Sequence, residues 1–187
     1  MRKLIMQLEL TLDGFYAGPN EEFDWFRLDP DQWKMKVDLF STIDTVLLGR
    51  KNYVGFGSYW PSVVNNPAST ETDIKFSRWL DEVPKVVFSK TLAKAQWQNS
   101  RLVGGDVAGE VSRLKGRSGK NLLIMSSTSI AQECMKHDLI DEYWLGIHPV
   151  ALGEGLALFK ERVNLKLLDS KTFPSGQIFL YYARQRA

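Results

Sequence analysis

Two hydrophobic periods alternate along the chain. Short runs rich in Val, Ile and Leu predict buried strands, and stretches with apolar residues three or four apart predict helices between them. The predicted strands span residues 3–10, 45–49, 85–89, 100–103, 121–125, 142–150, 165–173 and 177–184. The predicted helices lie near 30–40, 71–81, 105–115 and 129–137. This alternation requires a mostly parallel sheet with helices on its faces, and the last two strands add an antiparallel hairpin.

Turn-forming residues separate these elements. Asp29, Pro30 and Gln32 predict a helix start, with Asp29 as N-cap, Pro30 at the first helical position and Gln32 reaching back as in a capping box. Glycine and proline predict loops over residues 13–20 and 55–67.

The composition is that of a globular protein, and with no internal repeat or low-complexity linker it predicts one domain over residues 1–187. A net charge of +2 argues against a nucleic-acid partner. No apolar run is long enough for a membrane span. Cys134 is the single cysteine, so the sequence predicts neither a disulfide framework nor a thiolate metal site, no metal at all, and a cytoplasmic location.

The first candidate site follows the strand at residues 45–49. Gly49 lets a ligand approach the backbone, and Arg50 and Lys51 place positive charge beside it. Ligands of open α/β sheets bind at the carboxyl ends of strands. A turn with solvated basic residues is the alternative.

A second junction joins strand 121–125 to the next helix through four small hydroxyl residues, which are Ser126, Ser127, Thr128 and Ser129. Ser129 and Gln132 have capping-box spacing, so a well-capped helix is one interpretation. Backbone N–H groups flanked by hydroxyls at a helix N-terminus also suit a phosphate. The nearby basic junction favours the phosphate interpretation.

A third junction places Ser89 and Lys90 just after strand 85–89. In a parallel sheet this strand and strand 45–49 end on the same side, so Arg50, Lys51, Ser89 and Lys90 are expected to converge on one phosphate. Neither G-x-G-x-x-G after a strand nor the P-loop pattern occurs.

Together these segments resemble the dihydrofolate reductase superfamily. Within it, the chain resembles stand-alone proteins similar to the C-terminal reductase domain of the bifunctional riboflavin-biosynthesis deaminase/reductase. The resemblance rests on TLDGFYAGP (11–19), VLLGRKNY (46–53), GKNLLI (119–124) and LIDEYWLGIHPVALGEG (139–155).

The resemblance implies a three-layer α/β/α fold of the dihydrofolate-reductase type, an NADPH cofactor, hydride transfer to a small heterocyclic or carbonyl-like substrate, and a homodimer. It assigns Gly49 and Arg50 to the cofactor phosphates, Ser89 and Lys90 to the 2′-phosphate, and Ser126–Ser129 to the turn facing pyrophosphate and nicotinamide. Substrate contacts are expected from Asp13, Gly14, Phe15 and Trp60.

Two departures from the family pattern bear on activity. Ser126-Ser127 stands where the family has Gly-Gly or Gly-Ser, and a Cβ there crowds a backbone that glycine accepts easily. The helix position that carries the acid of true dihydrofolate reductases falls near Trp33, which is not a carboxylate. Glu9 and Asp13 are the remaining candidate acids, on condition that burial raises their pKa.

Other aromatic and histidine residues leave alternatives open. Trp25-Phe26 and Tyr59-Trp60 form either a wall for a heterocycle or a cover for the core or a dimer seam. His148 is either a site residue or a strand-end histidine bonded to backbone. The sequence thus predicts an NADPH-dependent reductase, similar to 5-amino-6-(5-phosphoribosylamino)uracil reductase or to dihydrofolate reductase. The alternative is a non-catalytic binding protein that keeps the fold.

Overall fold

A computed structural model describes residues 2–185 of the chain. Its strands are β1 (Leu4–Thr11), β2 (Phe15–Ala17), β3 (Ile43–Gly49), β4 (Lys85–Phe88), β5 (Ser100–Val103), β6 (Asn121–Met125), β7 (Glu142–His148), β8 (Leu156–Ala157), β9 (Leu165–Thr172) and β10 (Ile178–Arg184). Its helices are α1 (Pro30–Phe40), α2 (Arg50–Val63), α3 (Glu71–Glu82), α4 (Val107–Lys115) and α5 (Thr128–Lys136).

The main sheet has eight strands in the order β5-β4-β3-β6-β1-β7-β10-β9. Neighbours from β5 to β7 are all parallel, whereas β10 runs antiparallel to both β7 and β9. This confirms the predicted mostly parallel sheet and its antiparallel terminal hairpin. The predicted loop over 13–20 differs, because it contains β2, which pairs with β8 in a separate small ribbon.

Helices cover both faces of the sheet, as the predicted three-layer fold requires. On one face, α4 and α5 bury apolar side chains such as Val111 and Cys134 against the sheet. On the other face, α1, α2 and α3 do so with residues such as Phe40, Tyr53 and Leu80. Among residues 2–185, no helix combines the length and apolar character needed to cross a bilayer.

The region predicted as a loop over 55–67 is mostly helical, because α2 continues from Arg50 to Val63 with Pro61 inside it. Tertiary packing overrides the helix-breaking residues here. Gly57 packs closely on the Trp97 ring, where a Cβ would lie 3.3 Å from Cε3. The Tyr53 hydroxyl, one turn earlier, accepts a 2.9 Å hydrogen bond from the backbone N–H of Trp97.

The start of α1 agrees with its prediction in part. The Asp29 side chain caps the helix by accepting hydrogen bonds from the backbone N–H groups of Asp31 and Gln32. Gln32 does not complete a capping box, because among the described residues its side-chain oxygen accepts no hydrogen bond from the backbone N–H of Asp29.

The helices leave the centre of the sheet in opposite directions. Strands β3 and β6 are neighbours, yet α2 follows β3 onto one face and α5 follows β6 onto the other. A crevice forms outside the carboxyl ends of strands at such a switch point, and it is where ligands of open α/β sheets bind. The fold therefore predicts a ligand site at the ends of β3 and β6, beside Gly49 and Ser126.

Candidate functional site

A cavity of about 790 Å³ occupies this switch point. It is lined by the carboxyl ends of β1, β3, β4 and β6, the first turns of α2 and α5, and the segment after β1. The lining residues are Leu8, Glu9, Tyr16, Ala17, Glu21, Phe23, Gly49, Arg50, Lys51, Asn52, Phe56, Phe88, Ser89, Lys90, Thr91, Ser126, Ser127, Thr128 and Ser129.

The structure brings every residue expected to contact the cofactor to this one cavity. These residues are Gly49, Arg50, Lys51, Ser89, Lys90, Ser126, Ser127, Thr128 and Ser129. Their convergence follows from the parallel sheet, because β3, β4 and β6 end at the same edge.

Both helices that begin at the cavity lack a side-chain cap. The N-cap residue of α2 is Gly49, which has no side chain to form a cap, and the N-cap residue of α5 is Ser127, whose side chain bonds no backbone N–H of the first turn. The alternative of a Ser129–Gln132 capping box does not hold, because Ser129 lies inside α5 and the Gln132 Nε2 donates to the carbonyls of Ala157 and Leu158. Two helix N-termini with uncapped N–H groups favour bound anions.

The Ser127 hydroxyl holds the two junctions together. It accepts a 2.9 Å hydrogen bond from the backbone N–H of Gly49 and donates to the carbonyl of Met125 at 3.1 Å. Asn52 adds a second link, because its Nδ2 donates to the Ser126 carbonyl at 2.6 Å. The Ser127 side chain is buried and committed to this structure, whereas Ser129 is exposed.

Ser126 adopts a left-handed backbone conformation, with φ of 51°. Non-glycine residues rarely adopt this conformation, which places the Cβ close to the following carbonyl. Its backbone is fixed from both sides, since the N–H of Ser126 donates to the Gln7 carbonyl at 3.0 Å and its own carbonyl accepts from Asn52. The turn therefore forms with serine as it would with glycine, at the expense of local strain.

Positive charge lies on one side of the cavity. Arg50, Lys51 and Lys90 are exposed lining residues that follow β3 and β4. Lys51 pairs with Glu21 of the segment after β2, at 2.5 and 2.8 Å to the two carboxylate oxygens. The Ser89 hydroxyl accepts backbone N–H groups of Thr91 and Leu92, which fixes the turn that presents Lys90.

Glu9 is the centre of a buried polar cluster at the wall of the cavity. Its Oε1 accepts hydrogen bonds from Gln7 Nε2 at 2.9 Å and Lys36 Nζ at 2.8 Å, and its Oε2 lies 3.0 Å from His148 Nε2. His148 is thus bonded to a carboxylate rather than only to backbone. Gly146 faces Glu9 in the register of β1 and β7, and a Cβ there would collide with the Glu9 carboxylate.

The electrostatics of this cluster keep Glu9 in its ionised form. Burial alone would raise the pKa of Glu9, but the charge of Lys36 and the hydrogen bonds from His148 and Lys36 lower it to about 2. The condition that burial raises the pKa of Glu9 is therefore not met, and Glu9 is an ionised carboxylate at neutral pH.

Asp13 lies outside the cavity lining and has a structural role. Its Oδ2 accepts the backbone N–H groups of Leu152 and Gly153 at 2.9 and 2.8 Å. Hydrogen bonds from the Thr11 hydroxyl and from Gly153 lower the pKa of Asp13, so the raised pKa that an acid would need is absent here too.

The other expected substrate contacts, Gly14, Phe15 and Trp60, also lie outside the cavity lining. Trp60 points to the α1–α3 face, where its ring is 4.5 Å from that of Phe76 and 5.8 Å from that of Trp33. This placement corrects the substrate-binding prediction for Trp60, because the side chain belongs to the aromatic packing between helices. Tyr16, Ala17, Glu21 and Phe23 occupy the corresponding wall instead.

The sequence did not predict several residues that line the cavity or support its walls. Asn52 and Phe56 lie in a region assigned to junction and loop. The role of Lys36 could have been predicted, because it lies among the buried residues of α1 with Val37 and Phe40. A lysine there requires a buried partner.

Among residues 2–185, no group of three His, Cys, Asp or Glu side chains is arranged to hold a metal ion.

Comparison with known proteins gives the same fold and a family. The chain is 36% identical over 184 residues to the uncharacterized protein YyaP of Bacillus subtilis (strain 168), covering 97% of this chain and 94% of that protein. The uncharacterized protein YwjB of the same organism is 27% identical over 187 residues, with 98% of each chain covered.

Solved structures share the architecture. A protein from Shewanella sp. PV-4, named as a riboflavin biosynthesis protein, superimposes with a TM-score of 0.71 at 21% identity, covering 98% of this chain and 99% of the other. A diaminohydroxyphosphoribosylaminopyrimidine deaminase/5-amino-6-(5-phosphoribosylamino)uracil reductase from Thermotoga maritima gives 0.65 at 14% identity, with 98% of this chain and 57% of that chain covered. The model of the RibD C-terminal domain matches residues 2–179. The chain therefore belongs to the RibD C-terminal domain family.

Proposed function

We propose that the protein is an NADPH-dependent reductase that transfers a hydride to a small heterocyclic or carbonyl-like substrate. One observation carries the proposal: the two uncapped helix N-termini and the cations Arg50, Lys51 and Lys90 line a single cavity at the switch point of the sheet. Membership of a reductase family supports it.

The residues of the cavity fit a phosphorylated dinucleotide. Backbone N–H groups at the starts of α2 and α5 suit a pyrophosphate, and Gly49 leaves its surface free of a side chain. Arg50 can hold a terminal phosphate with a bidentate fork, and Lys90 adds a point charge. Bound NADPH would supply the hydride, and the protein's part is to orient it and to shape a dry site.

A titration with NADPH and NADH tests the proposal. Loss of one charge-assisted contact amounts to about 1.5–3 kcal/mol, so Arg50→Ala should weaken NADPH binding by roughly 10- to 150-fold. NADH lacks the 2′-phosphate and should lose much less. Arg78→Ala, an exposed change on α3 away from the cavity, is the matched control and should leave both affinities unchanged.

Two results would contradict the proposal. Absence of binding of either cofactor at millimolar concentration would sink the reductase assignment. Equal losses of NADPH and NADH affinity in Arg50→Ala would refute the role of Arg50 at the 2′-phosphate.

A second candidate is a protein that binds the nucleotide without turning it over. The ionised state of Glu9 and the outward, hydrogen-bonded position of Asp13 favour it, because neither carboxylate holds a proton to give at neutral pH. Tight NADPH binding with no cofactor oxidation across a panel of carbonyl and heterocyclic compounds would support this second function. The homodimer and the cytoplasmic location stay predictions.

A further inference from the structure

Lys51 differs from the other two cations that line the cavity, because within the described part of the chain it alone is ion-paired. Its Nζ lies 2.5 and 2.8 Å from the two carboxylate oxygens of Glu21, which is itself a lining residue. The pair joins the first turn of α2 to the segment after β2. It therefore links two walls of the same cavity.

The start of α2 carries positive charge that the helix itself does not balance. Arg50 and Lys51 are its first two residues, its first turn contains no acidic residue, and Gly49 provides no side-chain cap. Cations at a helix N-terminus oppose the helix dipole, and an anion there is favourable. Glu21 supplies this negative charge from another segment, in the place where the cofactor would supply a phosphate.

A tight turn over residues 18–22 presents Glu21 to Lys51. Glu21 has a φ of 67°, in the left-handed region that favours glycine, and its N–H donates to the Gly18 carbonyl at 3.1 Å. Glu22 closes the turn, because its carbonyl accepts the Gly18 N–H at 2.9 Å and its carboxylate accepts from Asn20. Strained residues of this kind cluster at ligand clamps and switch segments.

The ion pair is weak enough to be exchanged for a stronger one. The side chains of Lys51 and Glu21 are 68% and 63% exposed, and an exposed pair shifts an equilibrium by no more than about fivefold. A terminal phosphate carries nearly two negative charges at neutral pH, whereas a carboxylate carries one. A phosphate that enters the cavity therefore competes with Glu21 for Lys51 and displaces it.

We propose that Glu21 is an internal competitor of the cofactor phosphate. It holds Lys51 in an autoinhibitory ion pair, which NADPH must break before Lys51 can contact it. The proposal rests on the proposed function, because it places Lys51 on the cofactor side of the cavity. Glu21 accordingly lowers the affinity of the protein for NADPH.

A double-mutant cycle on Glu21 and Lys51 tests the proposal, with NADPH dissociation constants measured by calorimetry. Glu21→Gln should bind NADPH about two- to fivefold more tightly than the parent, because Lys51 is released. In a Lys51→Met background the same change should alter the affinity less than about 1.5-fold, because the ion pair is already absent. Asp24→Asn is the matched control: it removes the same charge from an exposed residue outside the cavity lining and should leave the affinity unchanged.

Two results of the cycle would overturn the proposal. Unchanged NADPH affinity in Glu21→Gln would show that the carboxylate does not compete with the cofactor. A gain in the Lys51→Met background as large as that in the parent would assign the effect to direct repulsion between Glu21 and the phosphate. Failure of the parent protein to bind NADPH at millimolar concentration would instead refute the proposed function, and the competition with it.

Discussion

The hydroxyl group of Ser127 and the backbone N–H of Gly49 are joined by a 2.9 Å hydrogen bond between residues 78 positions apart. This bond connects the ends of β6 and β3 at the point where their helices diverge. Together with the pairing of β3 and β6 and the Asn52 hydrogen bond, this buried side chain fixes the separation of the two helix N-termini. The shape of the cavity therefore depends on this hydrogen bond as well as on the sheet.

Replacement of Ser127 by Ala should destabilise the protein. The change removes the acceptor of the Gly49 N–H and leaves the Met125 carbonyl only a long 3.5 Å contact from Asn52 Nδ2, and an unsatisfied buried polar group costs about 1–3 kcal/mol. Urea unfolding followed by circular dichroism measures the effect. Ser129→Ala is the matched control, because Ser129 is exposed and should change stability by less than about 0.5 kcal/mol. Equal effects of the two changes would contradict the assigned role.

Gly49→Ala should weaken ligand binding with little effect on the stability of the fold. The φ of Gly49 is −77°, and a Cβ would meet only ordinary contacts at 3.8 Å, so the loss of stability should be about 1 kcal/mol or less. The added methyl group lies where a phosphate would approach the backbone, and NADPH affinity should fall about tenfold.

Gly55→Ala serves as the control for that change. Gly55 lies in the same helix, a Cβ there has open space, and it does not line the cavity. Calorimetric titration should show unchanged NADPH affinity in Gly55→Ala, with stability raised by up to about 1 kcal/mol. Undiminished affinity in Gly49→Ala would show that the ligand does not approach this backbone.

The parts of the structure that could be predicted are those encoded locally. Strand β6 is a continuous apolar run, and the four hydroxyl residues after it mark its end in the sequence itself. Gly49 marks the end of β3 in the same way. Once a parallel sheet is expected, these ends must meet at one edge, and so the cofactor side of the cavity follows from the sequence.

The other side of the cavity depends on contacts that no local pattern encodes. Glu9 meets Lys36 and His148, which lie 27 and 139 residues away on α1 and β7. Burial of Glu9 suggested a raised pKa, but the partners brought by these elements reverse the sign. The position of Trp60 could not be predicted from local sequence either, because it depends on packing against Phe76 and Trp33.

Ser126→Gly should stabilise the protein. The left-handed conformation at φ 51° carries a strain of about 1–2 kcal/mol in a residue with a Cβ, part of which is offset by the greater freedom of glycine in the unfolded chain. A net gain of about 0.5–1 kcal/mol is expected in urea unfolding. Ser129→Gly, inside α5, should lose a similar amount because glycine disfavours helix. A loss in both variants would show that Ser126 is not strained.

The Glu9 cluster should make stability depend on pH in the acid range. The pKa of Glu9 is lowered from 4.5 to about 2, so its contribution is complete above about pH 5 and is lost as the pH falls towards 2. Linkage puts this contribution at roughly 3 kcal/mol. Lys36→Met leaves a buried carboxylate without its cation and should cost about 3–5 kcal/mol at pH 7. The double variant Glu9→Gln/Lys36→Met removes both charges, so at pH 7 it should recover most of the stability that Lys36→Met loses. Urea unfolding at pH 7 and pH 4 should also show that the double variant loses less stability between these two pH values than the parent does. An acid loss as large as that of the parent would assign the effect to other carboxylates.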